Sequence, residues 1–474
     1  MDQRQTEAPL TYKETVLYNL AGFSLNVYET IIAAWIMFFY MPPEGSDHTR
    51  YIPMALLGLI LAGGRILDAL TDPLVGYLSD NTVSRWGRRK PYIFVSSPFL
   101  FMAFTLIWLP PVAGTSWLNG LFLAVVLFVY YWAYTGVLIP WFAVLPEMRQ
   151  ENRKRVKIAT IGVAIGVLGA LVGGGLSGPL LDKMGPFKMS LILGAVAFLG
   201  CELTLLGIKK QPHEHHADNK LGFIGFCGVL KEVFLDRQVV AFSITIMLVQ
   251  LTYQLMLMNV PYFATLIMGQ DEAAASMLMG KIIIIMALST PLWYFLLSKF
   301  AKRNVFRVIM LAMAAGFILS FFIGKLPFFS LPVQALIVFA MVSIPVGGMF
   351  AVAIGLIADL TDYDELKFGQ RREAVYYGIY GIVRKTGWAF CSLLMMGVFH
   401  MFGFSVENPM GVRVIWLVCA GACLLGYITF IPYNIGDSQA ETKKIFSLNK
   451  PGTDMYSNQG GLIKKEPNLN DRAT

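Results

Sequence analysis

The chain has 474 residues, 56% of them hydrophobic and only 14% charged, a balance that excludes a soluble multidomain protein of this length. Its net charge of +8 does not point to nucleic acid, because the basic residues fall in short loops rather than on a continuous polar face. Five cysteines (Cys201, Cys227, Cys391, Cys419 and Cys423) lie mostly in or beside apolar runs without metal-ligand spacing; they read as small core residues, with no disulfide and no metal site expected.

Apolar runs long enough to cross a bilayer recur, and twelve are predicted. Helix 1 spans Tyr12 to Met41 and stops at Pro42 and Pro43; no small-residue cleavage site follows it, so it reads as a retained span. Helix 2 covers Ile52 to Asp80, helix 3 Pro91 to Leu109, helix 4 Trp117 to Leu145, helix 5 Ile158 to Leu181 and helix 6 Phe187 to Ile208. Gly-rich VLGALVGGGLSGP in helix 5 allows close helix approach. The loops after helices 2 and 4 are basic and the loop after helix 3 has no Lys or Arg, which places the basic loops and both termini in the cytoplasm. Lys209 to Asp236 is the longest polar interruption and divides residues 1–208 from 237–432; its His213–His216 run could ligate a metal, but a solvated linker is the favoured reading. Helices 7 to 12 follow at Val239 to Ile267, Ala274 to Phe300, Val305 to Ile323, Leu331 to Leu360, Ala374 to Phe402 and Val412 to Ile431, and the polar tail from Tyr433 reads as disordered.

Helix 2 carries Asp68 and Asp72 one turn apart, on one face and near the midplane. Carboxylates there are costly unless a cation, a partner or water compensates, so they read as a cation site facing a cavity. The plain alternative is a static ion pair between Asp68 and Arg65, three residues earlier; Arg65 can neutralise only one carboxylate, and Asp72 still needs a positive partner. Asp68, Thr71, Asp72 and Thr135 would offer oxygen-only ligands, suited to a hard cation. The threonines favour sodium over a proton, with interhelical hydrogen bonding as their bland role. Lys385 lies deep in helix 11, where a lysine needs a partner or a function. Arg384 beside it is expected on another face, reaching towards the cytoplasm, and is left out of the site.

GYLSDNTVSRWGRRKP resembles the loop between the second and third helices of the major facilitator superfamily, with Gly76, Asp80, Arg85, Gly87, Arg88 and Arg89 at the expected places. DALTDP before it and SRWGRRKP within it narrow the resemblance to the glycoside-pentoside-hexuronide cation symporters, such as the melibiose permease. ADLTDYDELKFGQRREAVYYGIYGIVRKTG resembles the same family, and YFLLSKFAKRNVF reads as a worn copy of the first loop. The resemblance implies an all-α fold of twelve transmembrane helices in two pseudo-symmetric six-helix bundles, working by alternating access. It also implies that the basic loop is a cytoplasmic gate, that Thr135 supplies an oxygen to the cation, and that Lys385 neutralises Asp68 or Asp72 across the halves when the cation is absent.

The solute side departs from the melibiose permease. Where that protein has sugar-binding aspartates in helices 1 and 4, this chain has Asn26, with Leu25 before it, and Leu138; the nearest basic residue to its helix 5 arginine is Lys157. Polar candidates for the solute are Asn26 and Glu29 in helix 1, Tyr134 and Trp141 in helix 4, Gln250 and Gln254 in helix 7, and Tyr376 and Tyr380 in helix 11. Helix packing is the competing role for each. Glu29, three residues from Asn26, needs a partner that the resemblance does not name and is expected to touch the solute.

The resulting expectation is a monomeric sodium-coupled symporter of a glycoside or sugar-like solute in a bacterial cytoplasmic membrane, with no cofactor beyond a coupling Na+ or H+. Proton coupling and an amphipathic, lysolipid-like solute are the alternatives; a lipid carrier would open laterally between helices 5 and 8 or 2 and 11. A membrane enzyme is disfavoured, since His400, the one histidine expected within a helix, has no catalytic partner in the sequence.

Overall fold

The structure is a computed structural model that describes residues 11–147, 152–208, 236–325, 327, 329–368, 373–437 and 441–442. The His213–His216 run, Cys227 and the tail beyond residue 442 lie outside these residues. Among the described residues there are eleven continuous helical runs, and the fifth, Asn152–Gly207, is two helices meeting at Gly185. There φ is 79° and ψ 167°, a conformation that favours glycine, and Pro186 then starts the next helix with a fixed φ and no N–H to satisfy. The candidate span Lys157–Gly207 within it is 51 residues long, about 75 Å of helix, enough to cross a bilayer twice. The twelve helices are α1 (Tyr12–Tyr40), α2 (Met54–Asn81), α3 (Lys90–Leu106), α4 (Trp117–Glu147), α5 (152–184), α6 (186–207), α7 (Arg237–Leu266), α8 (Glu272–Lys299), α9 (Lys302–Phe321), α10 (Leu331–Phe368), α11 (Glu373–Phe402) and α12 (Met410–Phe430).

Side-chain caps set several starts. Thr11 and Glu14 form a reciprocal capping box on α1, while Asp236 and Asp271 accept from the first turns of α7 and α8. Two expected boundaries move. α10 runs on to Phe368 rather than ending near Leu360, because the acidic residues of ADLTDYDELKF find partners: Asp359 pairs with Lys302, Tyr363 and Lys367 bond to Asp236, and Asp364 accepts from Tyr376. Tyr433 is also not the start of a disordered tail. It is fully buried and stacked on Phe430 at 4.7 Å, Asn434 donates to Gln238, and Asp437 accepts from the Lys302 backbone. Burying an aromatic ring and pairing these groups fixes the stretch to the end of the bundle.

In the first half α1 is the central helix, packed on α5 and α6, and α4 bonds to it through Trp141 and Tyr18. In the second half α7 packs on α11 and α12, and α9 on α10 and α12. The halves meet along three seams, α1 with α7, α2 with α11 and α5 with α8. Glycine permits the last: a Cβ on Gly178 would strike the Glu272 carbonyl, and the Ser276 hydroxyl donates to the Gly174 carbonyl at 2.6 Å. The halves are bound at the end bearing the α1–α2 loop, where Tyr262 donates to the Met41 carbonyl at 2.6 Å, Glu44 bridges Ser405, and His48 contacts Glu272 at 3.0 Å. Cys201, Cys391, Cys419 and Cys423 are buried, as their core reading requires.

Candidate functional site

Asp68 and Asp72 lie on one face of α2, and Pro73 immediately after them has no N–H for the Ala69 carbonyl, loosening the helix where the two acids stand. From α4, the Thr135 hydroxyl is 3.1 Å from Asp72 Oδ1 and 3.3 Å from Asp68 Oδ1. Thr71 donates to the Asp68 carbonyl at 3.1 Å and lies 3.2 Å from the Thr135 hydroxyl. Lys385, from α11 in the other half, places its Nζ 2.8 Å from Asp68 Oδ1, 2.7 Å from Asp72 Oδ2 and 3.1 Å from the Asp68 carbonyl. All five predicted residues therefore converge. Asp68 and Lys385 are buried, while Asp72 keeps 20% of its side chain exposed and so is the open side of the cluster. The ammonium is a positive centre held by oxygens alone, and the same oxygens suit a hard monovalent cation.

Arg65 is not chiefly the partner of Asp68. Its guanidinium grips Glu29 of α1 with two N–H groups, at 2.5 and 3.3 Å, and only approaches Asp68 at 3.9 Å. This is the partner that Glu29 lacked in the sequence, and it commits the Glu29 carboxylate to an ion pair between α1 and α2. Arg65 also lies over the rings of Tyr131 and Trp388, at 5.2 and 5.0 Å.

The predicted solute residues separate into groups. Trp141 and Tyr18 bond to each other's backbone carbonyls, and Gly22 is needed to admit the indole, so Trp141 is engaged in packing α4 on α1. Tyr376 is buried and donates to Asp364, away from the acid pair. Asn26 is exposed and donates to the Gly22 carbonyl one turn back. Gln254 is buried on α7. Gln250 and Tyr380 belong together, Gln250 donating to the Tyr380 hydroxyl at 3.2 Å, while Tyr134 stacks on Tyr130 of its own helix at 6.0 Å. Arg384 joins Gln250 and Tyr380. It lies over Tyr380 at 5.9 Å and Trp388 at 4.8 Å. The expectation that it turns away is corrected, because flanking aromatic faces hold the guanidinium inside. Its neighbours at i−4 and i+4, both aromatic, were the available signal.

At the other end of α2, Asp80 pairs with Arg89, which also donates to Ser79 at 2.6 Å. Gly87 adopts φ 89°, Gly76 faces Ile139 of α4, and Arg85 and Arg88 are exposed, Arg85 over the Trp86 ring. The Asp80–Arg89 pair thus ties α2 to α3 within one half. In the other half Lys302, at the start of α9, pairs with Asp359 of α10.

A family model described as "MFS/sugar transport protein" matches residues 17–436. The glucuronide carrier protein homolog of Escherichia coli (strain K12) is 24% identical over 463 residues, covering 91% of this chain and 94% of that protein. The sodium-dependent lysophosphatidylcholine symporter 1 of Gallus gallus is 22% identical over 441 residues, covering 81% and 80%. A solved D-xylose-proton symporter superposes with a TM-score of 0.65 at 14% identity, over 90% of this chain and 99% of that one, which shows the same fold. With this match, its multi-pass helical architecture and its charged centre between two halves, the chain belongs to the MFS/sugar transport protein family, among the symporters of glycoside-pentoside-hexuronide type, and is a membrane transporter rather than an enzyme.

Proposed function

We propose that the chain is a sodium-coupled symporter of a glycoside or other sugar-like solute. The observation that carries this reading is Lys385 bound to both Asp68 and Asp72 across the seam between α2 and α11. A cation entering from the Asp72 side competes with the ammonium for the same oxygens. Once the cation is bound, the halves lose their central ion pair and can rock about the solute. Sodium is favoured over a proton because two threonine hydroxyls complete the oxygen set, and because one relative is itself named as sodium-dependent. Residues 1–208 and 237–432 form the two rocking bodies, joined by residues 209–236. The protein acts as a monomer in a bacterial cytoplasmic membrane with both termini inside.

A lysolipid-like solute is the second reading, favoured by the lysophosphatidylcholine relative and by Leu138 in place of an acid. The bonded α5–α8 seam at Gly174–Gly178 and the Ser392 bond to Gly58 between α11 and α2 argue for an enclosed sugar route. Uptake of labelled glycosides and lysolipids into vesicles, with and without an inward sodium gradient, tests both. Glycoside uptake that ignores sodium but follows a proton gradient would overturn the sodium assignment.

A further inference from the structure

The described surroundings of Arg384 hold no carboxylate partner for it, and the acceptor left unpaired beside Tyr380, Gln250 Oε1, is neutral. Arg65 from one half and Arg384 from the other lie over the same Trp388 indole, at 5.0 and 4.8 Å. Only Arg65 has a carboxylate. Among the described residues Arg384 makes no ion pair, and its Nε is buried without an acceptor; Trp388 Nε1 is buried without one as well. Buried N–H groups are ordinarily satisfied, so two adjacent unanswered donors beside a guanidinium define the complement of a ligand: oxygens carrying negative charge.

The charges of the centre give the same answer. Glu29, Asp68 and Asp72 balance Arg65, Lys385 and Arg384, three against three. Adding one coupling cation leaves the centre one charge in excess. A solute with one negative charge removes that excess, so each of the two raises the affinity for the other, which is what coupled transport requires. Asn26 and Leu138 also lack the carboxylates that would grip a neutral sugar's hydroxyls, so the strong interaction available here is the guanidinium.

We propose that Arg384, with the Trp388 N–H, anchors an anionic oxygen group of the transported solute, either the carboxylate of an acidic glycoside or the phosphate ester of a lysolipid. The proposal deepens the symport reading and rests on it. Trp388 orients the guanidinium by stacking and adds one donor, and the Tyr380 ring flanks the guanidinium as well.

The test offers proteoliposomes under a sodium gradient two matched pairs: methyl glucuronide against methyl glucoside, and lysophosphatidylglycerol, whose phosphodiester carries one net negative charge, against monoacylglycerol. In one pair the anion-bearing member is expected to be preferred by at least about tenfold, and the pair that shows it identifies the source of the anion. Arg384→Gln should lower uptake of that member by about 10- to 100-fold while solute-free sodium binding and uptake of the neutral mate are retained. Trp388→Phe, which keeps the ring and removes the donor, should lower it severalfold, and Arg384→Lys should recover part of the loss; these two variants decide the matter if Arg384→Gln does not fold. Equal uptake within both pairs, or equal loss of both members in Arg384→Gln, overturns the proposal and leaves symport standing. Failure of all four compounds to move in either a sodium or a proton gradient overturns the symport reading and this one with it.

Discussion

Lys385 Nζ lies 2.7 Å from Asp72 Oδ2, so an ammonium of the second half is held by a carboxylate of the first at the open edge of an otherwise buried cluster. On the symport reading proposed above, removing that carboxylate takes away the cation's most accessible ligand while Asp68 still neutralises Lys385. Asp72→Asn is therefore expected to fold and insert normally and to lower sodium affinity by at least about tenfold, abolishing cation-stimulated uptake. Isotopic sodium binding on the purified variant checks this, and binding equal to the parent protein's would remove Asp72 from the cation site.

Glu29 and Arg65 form a buried pair between α1 and α2. Glu29→Gln leaves Arg65 buried with only the distant Asp68 carboxylate, which is expected to cost roughly 3–5 kcal/mol of stability. Adding Arg65→Gln should return most of that loss. Thermal unfolding of the two single variants and the double variant in detergent measures the coupling. If the double variant is no more stable than Glu29→Gln, the pair is not what Glu29 supplies.

His48 joins the halves at the α1–α2 end through Glu272. The hydrogen bond to Glu272 raises the His48 pKa, burial opposes it, and the Glu272 and Asp47 charges raise it further. Because the raised value belongs to the closed form, the bond contributes fully below the ordinary histidine pKa of about 6.5 and is lost as pH climbs through the raised one. Closure at this end is expected to weaken with rising pH, and His48→Gln should flatten the dependence. Labelling of a cysteine placed at Asp47, followed against pH, reports it; an unchanged pH profile in His48→Gln would exclude the contact as the cause.

The Asp80–Arg89 pair lies within one half, and Asp80 is half exposed. Asp80→Asn should loosen the α2–α3 loop by up to about 1 kcal/mol. Hydrogen exchange of residues 82–90 should rise while disulfide cross-links between the halves at the α1–α2 end change little. Loss of those cross-links in step with the exchange would show that the loop governs the halves directly.

The twelve-helix architecture and the acid pair were legible because they are local. Membrane spans are set by unbroken apolar length, and Asp68 and Asp72 share a face through helix geometry alone. The glycines of α5 likewise announced close packing that the Gly174–Gly178 seam realises. Hydropathy did not reveal that α10 continues to Phe368, since polar residues end an apolar run but not a helix when each finds a partner.

Partner choice was decided only by the tertiary structure. Arg65 is three residues from Asp68, yet it binds Glu29, 36 residues away, because the bundle holds α1 where two N–H groups of the guanidinium meet that carboxylate, a geometry that helical spacing cannot supply. Spacing along one helix also set Arg384 apart from Lys385, yet Arg384 is held against the faces of Tyr380 and Trp388, one turn away on either side. The sequence thus determines which helices carry charge into the membrane, through the period of the helix and the thickness of the bilayer. Which charge neutralises which depends on distances between helices far apart in the chain, and those exist only once the two halves have packed.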